Sequence, residues 1–188
     1  MNLDVRETSL PGVIVVAPKV FADGRGFFLE THHQPKYAGS GMAAPFVQDN
    51  HSHSTKGALR GLHYQLRHPQ GKLMYVVRGE IFDVAVDIRK GSPTFGRWEG
   101  FLLSDKNKKQ VFIPAGYAHG FYVLSETADV YYKCTDVYHP EDEYGILWSD
   151  PSLAIPWPLL NDLPPSLSEK DKKYPVLRDT PESRLPVF

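Results

Sequence analysis

The feature that most constrains this chain is how often its apolar runs are cut: 16 Pro and 15 Gly are spread over 188 residues, and no long window carries apolar residues at helical spacing. Pro removes a backbone donor and Gly loosens the backbone, so a chain punctuated this way does not sustain long helices. Short strands joined by turns fit it, and an all-β domain is expected. The clearest strand is 81–88, where Phe82, Val84, Val86 and Ile88 share one face and Ile81, Asp83, Ala85 and Asp87 the other. That period of two is the mark of a half-buried strand. It is expected to pair with 73–77 across Arg78-Gly79-Glu80, Gly supplying the turn. Further strands are expected at 13–16, 26–30, 46–50, 58–65, 97–103, 110–113, 120–124 and 129–135. Such a series suits a sandwich or jelly roll.

A short helix is expected over 34–38, with Pro35 in its first turn and Gly39 ending it. Beyond about residue 150 the texture changes, because Pro151, Pro156, Pro158, Pro164 and Pro165 interrupt any regular ladder. This stretch, 151–188, is expected to wrap a barrel core of about 13–150 within one domain spanning 1–188, and 166–172 to form one short helix. On that helix Ser168-x-x-Asp171 reads as a capping box.

Charge and cysteine content narrow the partners. With 21 Lys and Arg against 22 Asp and Glu the net charge is −1, and no run of cations tracks a phosphate backbone, so nucleic acid is not expected. No stretch approaches the length of a membrane span, and the first seven residues lack the organisation of a signal peptide, so no membrane partner is expected. Cys134 stands alone, which excludes an internal disulfide, fits a reducing cytoplasm and reads as a small buried hydrophobe.

Eight histidines raise the question of a metal. The segment 57–79 and Pro114-Ala115-Gly116-Tyr117-Ala118-His119 resemble the two motifs of the cupin superfamily, whose metal-binding members place a second His two residues after the first and a Glu shortly beyond. Here the first His is His63, but Gln65 holds the second place and Pro69 or Gln70 the third. Two imidazoles with neutral amides make a poor site for a first-row ion, so neither metal nor other cofactor is expected. His51 and His53 offer a substitute pair, but their Ser and Asn neighbours read as an ordinary polar loop.

The resemblance sharpens at Arg60-Gly61-Leu62-His63-Tyr64-Gln65, preceded by Phe46-Val47-Gln48-Asp49-Asn50-His51-Ser52. Together with Arg25-Gly26-Phe27-Phe28, Gly71-Lys72-Leu73, Asp83-Val84-Ala85-Val86-Asp87-Ile88-Arg89, Tyr132-Lys133 and Ile155-Pro156-Trp157-Pro158, these blocks are similar to the dTDP-4-dehydrorhamnose 3,5-epimerase family over nearly the whole chain. The resemblance implies a cupin-type jelly-roll barrel, and a homodimer with strands exchanged or paired near the N-terminus. It also implies inversion of C3 and C5 of dTDP-4-dehydro-6-deoxy-D-glucose. Relatives that invert one centre only, and a non-catalytic sugar-binding cupin, are the competing readings. His53 and Val137 depart from the family pattern and bear on which nucleotide or sugar is preferred.

The chemistry accounts for the residue types. Protons at C3 and C5 of a 4-keto sugar are acidic because their loss gives an enolate delocalised onto the C4 oxygen. Inversion needs a base on one face, an acid on the other and a cation at that oxygen. His63 suits the base, since a neutral imidazole fraction exists near working pH. The resemblance assigns Asp171 to orient it, Tyr132 as the acid and Lys72 to the C4 oxygen. Taken alone, His63 equally reads as a satisfied core histidine, and the lesser alternatives are a core tyrosine for Tyr132 and an exposed lysine for Lys72. By the same resemblance Arg25, Glu30, Gln48, Asn50, Arg60, His119, Glu143 and Lys170 contact substrate, and Tyr138 stacks on the base. In a strict strand Arg60 and His63 point to opposite faces, so both line one pocket only if the chain kinks. Gly61 permits a bulge there.

Overall fold

In the computed structural model, which describes residues 3–42 and 45–188, thirteen strands and one α-helix are present among the described residues. The strands are β1 (Asp4–Glu7), β2 (Ile14–Ala17), β3 (Val20–Asp23), β4 (Gly26–Leu29), β5 (Gln48–Thr55), β6 (Leu59–Gln65) and β7 (Lys72–Arg78). They continue with β8 (Glu80–Asp87), β9 (Trp98–Ser104), β10 (Gln110–Ile113), β11 (Tyr117–Val123), β12 (Thr127–Cys134) and β13 (Glu143–Gly145). The helix α1 spans Gln34–Ala38, as its Pro and Gly imply, although Gly39 caps it in the right-handed region at φ −66°.

Two antiparallel sheets face each other, in the orders β1-β2-β10-β7-β12-β5 and β13-β6-β11-β8-β9, and β3–β4 forms a separate hairpin. This is the all-β jelly-roll architecture expected. One expected pairing is wrong. β7 and β8 lie in different sheets, so Gly79 is no hairpin turn but the point where the chain crosses between layers. At φ +86° its missing Cβ would sit 2.2 Å from the Thr127 carbonyl oxygen, so only Gly fits. The segment 46–55 also differs from expectation: His51 and His53 lie on β5, each 3.0 Å from Asp129 Oδ1 on β12, rather than in a loop.

Strand β8 explains the layering. Its period of two holds, but both faces are buried. Ile81 and Ala85 point between the sheets, where they meet Met74, Val111, Phe121 and Val130. Val84, Val86 and the following Ile88 point the other way and are covered by Ile146, Leu153, Trp157, Leu177 and Leu185. The Pro-rich tail therefore lies on the outer face of the second sheet. On the far side Tyr37 and Met42 cover Ile14, Val16, Leu73 and Phe112 of the first sheet. Removing such apolar surface from water is the main driving force for assembly, at about 25 cal/mol per Å².

The expected helix at 166–172 is absent. Ser166 bridges Ala58, its backbone N–H donating to the Gly57 carbonyl at 2.9 Å, and 169–172 form turns. The capping contact survives without the helix, with the Asp171 N–H donating to Ser168 Oγ at 3.2 Å. No helix among the described residues is long and apolar enough to cross a membrane.

Candidate active site

At one end of the space between the sheets the apolar filling gives way to a cavity of about 390 Å³. Eleven of the expected site residues line it: Gln48 and Asn50 from β5, Arg60 and His63 from β6, Lys72 from β7, His119 from β11, Tyr132 from β12, then Tyr138, Glu143, Lys170 and Asp171. Arg25 and Glu30 do not. Arg25 sits at the tip of the β3–β4 hairpin with its side chain 92% exposed, 2.7 Å from Asp23, and Glu30 bonds Lys36 at 2.6 Å.

Strand parity places the inward groups. Tyr132 follows Val130 toward the interior, as its spacing implies, and stands opposite Asn50 in the ladder. Arg60 and His63 reach the same cavity because the β6–β11 pairing is bulged. His63 registers with His119 and Arg60 with Phe121, so Gly61 and Leu62 together oppose Gly120. A Cβ on Gly61, at φ +131°, would lie 2.5 Å from Gly120 Cα. The kink anticipated at Gly61 is thus enforced by backbone contact.

The central contact is between His63 Nε2 and Asp171 Oδ1, 2.6 Å apart across 108 residues of chain. Asp171 is almost wholly buried, so its carboxylate has little other than the ring to compensate it. Lys72 is walled in; burial draws its ammonium below the usual range, opposed by Cys134, Glu143 and Asp83. Tyr132 is pushed the other way, its phenol raised by burial and then by Cys134, so it stays a proton donor. Cys134 itself is buried and accepts a weak bond from Asn50 Nδ2 at 3.5 Å.

Glu143 is the most connected group. It accepts from Lys170 Nζ, from the Tyr138 hydroxyl at 2.5 Å and from the Tyr174 hydroxyl at 3.2 Å. Burial works to raise its carboxyl, and the bonds from Lys170 and Tyr138 overcome that and hold it below the usual range. Its bond, more than burial, lifts the Tyr138 phenol to about 12.

Two members of the site carry no mark as site residues in the sequence. Asp83 accepts from His119 Nε2 at 2.7 Å, fully buried. Its signal is a carboxylate on the inward face of β8, which demands a partner. Tyr174 gives no comparable signal, since an isolated tyrosine in a tail is unremarkable by pattern.

The residues at the cupin ligand places are already engaged. Gln65 Nε2 donates to the His68 and Val137 carbonyls at 2.6 and 3.2 Å, and its Oε1 accepts from the His139 N–H at 2.8 Å. Gln70 Nε2 donates to the Asp136 carbonyl. No three of the described His, Cys, Asp or Glu residues are arranged to hold a metal ion.

Comparison with known proteins gives a consistent picture. Residues 7–179 match the family model described as dTDP-4-dehydrorhamnose 3,5-epimerase. A protein of that name from Methanothermobacter thermautotrophicus is 52% identical over 177 residues, covering 93% of this chain and 95% of the relative. Among solved structures, dTDP-6-deoxy-D-glucose-3,5-epimerase from Legionella pneumophila, in complex with dTDP-4-keto-L-rhamnose, superposes with a TM-score of 0.96. It is 50% identical, and the match covers 100% of this chain and 99% of that one. A 3'-monoepimerase from Streptomyces bikiniensis in complex with dTDP-quinovose gives a TM-score of 0.90 at 34% identity, over 97% of this chain and 92% of that one.

Proposed function

This chain belongs to the dTDP-4-dehydrorhamnose 3,5-epimerase family of isomerases, and from that premise we propose that it inverts C3 and C5 of dTDP-4-dehydro-6-deoxy-D-glucose. The product is dTDP-4-dehydro-6-deoxy-L-mannose, the precursor of dTDP-L-rhamnose. The observation that carries the reading is the 2.6 Å contact of His63 with buried Asp171 in a cavity that also holds Lys72 and Tyr132.

With Nε2–H donated to Asp171, the other ring nitrogen of His63 is the base. It takes the proton beside the ketone, and the electron pair moves onto the C4 oxygen as an enolate. The Lys72 ammonium holds that oxyanion, a preorganised charge acting where water is scarce. Tyr132 returns a proton from the opposite face. Its place supports this role, since it stands on the first sheet while His63 stands on the second. Tyr138, 46% exposed at the mouth, offers a ring for the base, and Arg60 and Lys170 offer cations to the diphosphate.

A homodimer completes the proposal. Val20, Phe21, Phe27 and Phe28 of the β3–β4 hairpin are all exposed, with Phe28 at 69%, an apolar surface that a second copy would cover. Arg25 and Glu30 then serve the partner's cavity instead of their own. The single free Cys134 supports a cytoplasmic setting. Similarity to the Streptomyces 3'-monoepimerase supports inversion at one centre as the second reading.

To test the reaction, the protein is incubated with the keto sugar in deuterated water and followed by NMR. Deuterium is expected at both C3 and C5. Incorporation at one carbon moves the assignment to a single-centre epimerase, and none at either removes the enzyme reading. His63→Ala is expected to abolish exchange while dTDP still binds; unchanged exchange would eliminate His63 as the base.

A further inference from the structure

Tyr174 stands one layer behind the cavity wall. Its ring covers Gly145 so closely that a Cβ there would lie 2.4 Å from its Cε2, and Gly145 is registered opposite His63. The ring meets the His63 imidazole edge-on, centroids 5.8 Å apart at 71°. Its hydroxyl donates to Glu143 Oε1 at 3.2 Å. Burial, then Glu143, lifts the phenol far above its usual range, so this group is a donor throughout the working pH range.

Glu143 needs such a restraint. Its Oε1 lies 3.8 Å from His63 Nε2, where Asp171 Oδ1 already stands at 2.6 Å. Two carboxylates thus flank one ring nitrogen. Lys170 and the Tyr174 hydroxyl engage that same Oε1, and the Tyr138 hydroxyl engages Oε2, so three donors hold the carboxylate at this distance.

We infer that Tyr174 is a positioning residue for the His63 base: its ring fixes the imidazole edge, and its hydroxyl, with Lys170, holds Glu143 Oε1 short of Nε2. It acts through His63 and Glu143 without touching substrate. The assignment rests on the epimerase reading above. Without the hydroxyl Glu143 has one donor fewer, and its charge moves toward the ring. A second carboxylate at Nε2 competes with Asp171 for its proton, and the ring loses its single orientation toward substrate.

The test compares full-length Tyr174→Phe and Tyr174→Leu with the wild type, measuring kcat, KM, dTDP affinity and Tm. In Tyr174→Phe kcat is expected to fall about 3-fold, with KM and dTDP affinity within about 2-fold. In Tyr174→Leu kcat is expected to fall about 10-fold, with KM and dTDP affinity within about 2-fold, and Phe at this position to restore most of it. A Leu variant that loses only Tm, with kcat intact, overturns the assignment. So does a loss confined to dTDP affinity, which marks a substrate contact. Absence of exchange in the wild type would instead overturn the epimerase reading itself.

Discussion

In the proposed mechanism Lys72 is useful at the C4 oxygen only while it carries a charge, and its surroundings make that charge conditional. Burial draws its ammonium below the usual 10.5, so the cation is complete at low pH and lost as pH rises through the lowered value. Tyr132 stays protonated over the same range because its phenol is raised. The alkaline decline of kcat is therefore expected to belong to Lys72 and to begin below pH 10.5. Lys72→Arg, whose guanidinium does not titrate there, is expected to be slower but to show no alkaline limb in a kcat–pH profile. An unaltered limb would assign the decline elsewhere. At this scale the sequence is legible where chemistry is local. His63 is marked by the hexapeptide that carries the family motif around it, whereas Asp171 lies far from that motif and is reached only through the wider resemblance, and Tyr174 through neither. Contacts spanning 108 residues leave no trace in spacing.

Among the elements, β6 decides whether the site exists, because its bulge turns Arg60 and His63 toward one cavity. Gly61→Ala would meet Gly120 Cα at 2.5 Å and the His119 carbonyl at 2.8 Å with a backbone at φ +131°. It is expected to destabilise by about 3 kcal/mol in urea unfolding and to remove most activity. Gly24→Ala, with nothing within 4 Å of the added carbon, is expected to be neutral. Equal effects at the two sites would refute the role of the bulge. Strand β8 was readable because a central strand writes its alternation into every residue. Its partner was not, since a Gly turn specifies reversal but not which sheet receives the chain. The helix expected at 166–172 is lost because Ser166 joins Gly57 and Leu59 through its backbone and Asp171 goes to His63. Tertiary bonds outweigh weak local helix preference.

At the scale of the molecule the proposed dimer turns on the β3–β4 hairpin, whose phenylalanines are exposed within the single chain. Its apolar pattern gave no clear β3, because strand logic assumes a face buried in the same chain, and here Phe21, Phe27 and Phe28 face outward. Phe27→Asp with Phe28→Asp is expected to convert a dimer into a monomer by light scattering and to weaken substrate binding as Arg25 is withdrawn from the neighbouring cavity. A wild-type monomer would contradict both. The tail carries a different consequence. Because Lys170 and Asp171 arrive from the segment laid over the second sheet, the same stretch of chain seals that sheet's outer apolar face and completes the cavity, so His63 gains its partner only when the tail docks. Loosening of the tail is thus expected to cost packing and activity together, which ties the integrity of the wrap to the integrity of the site.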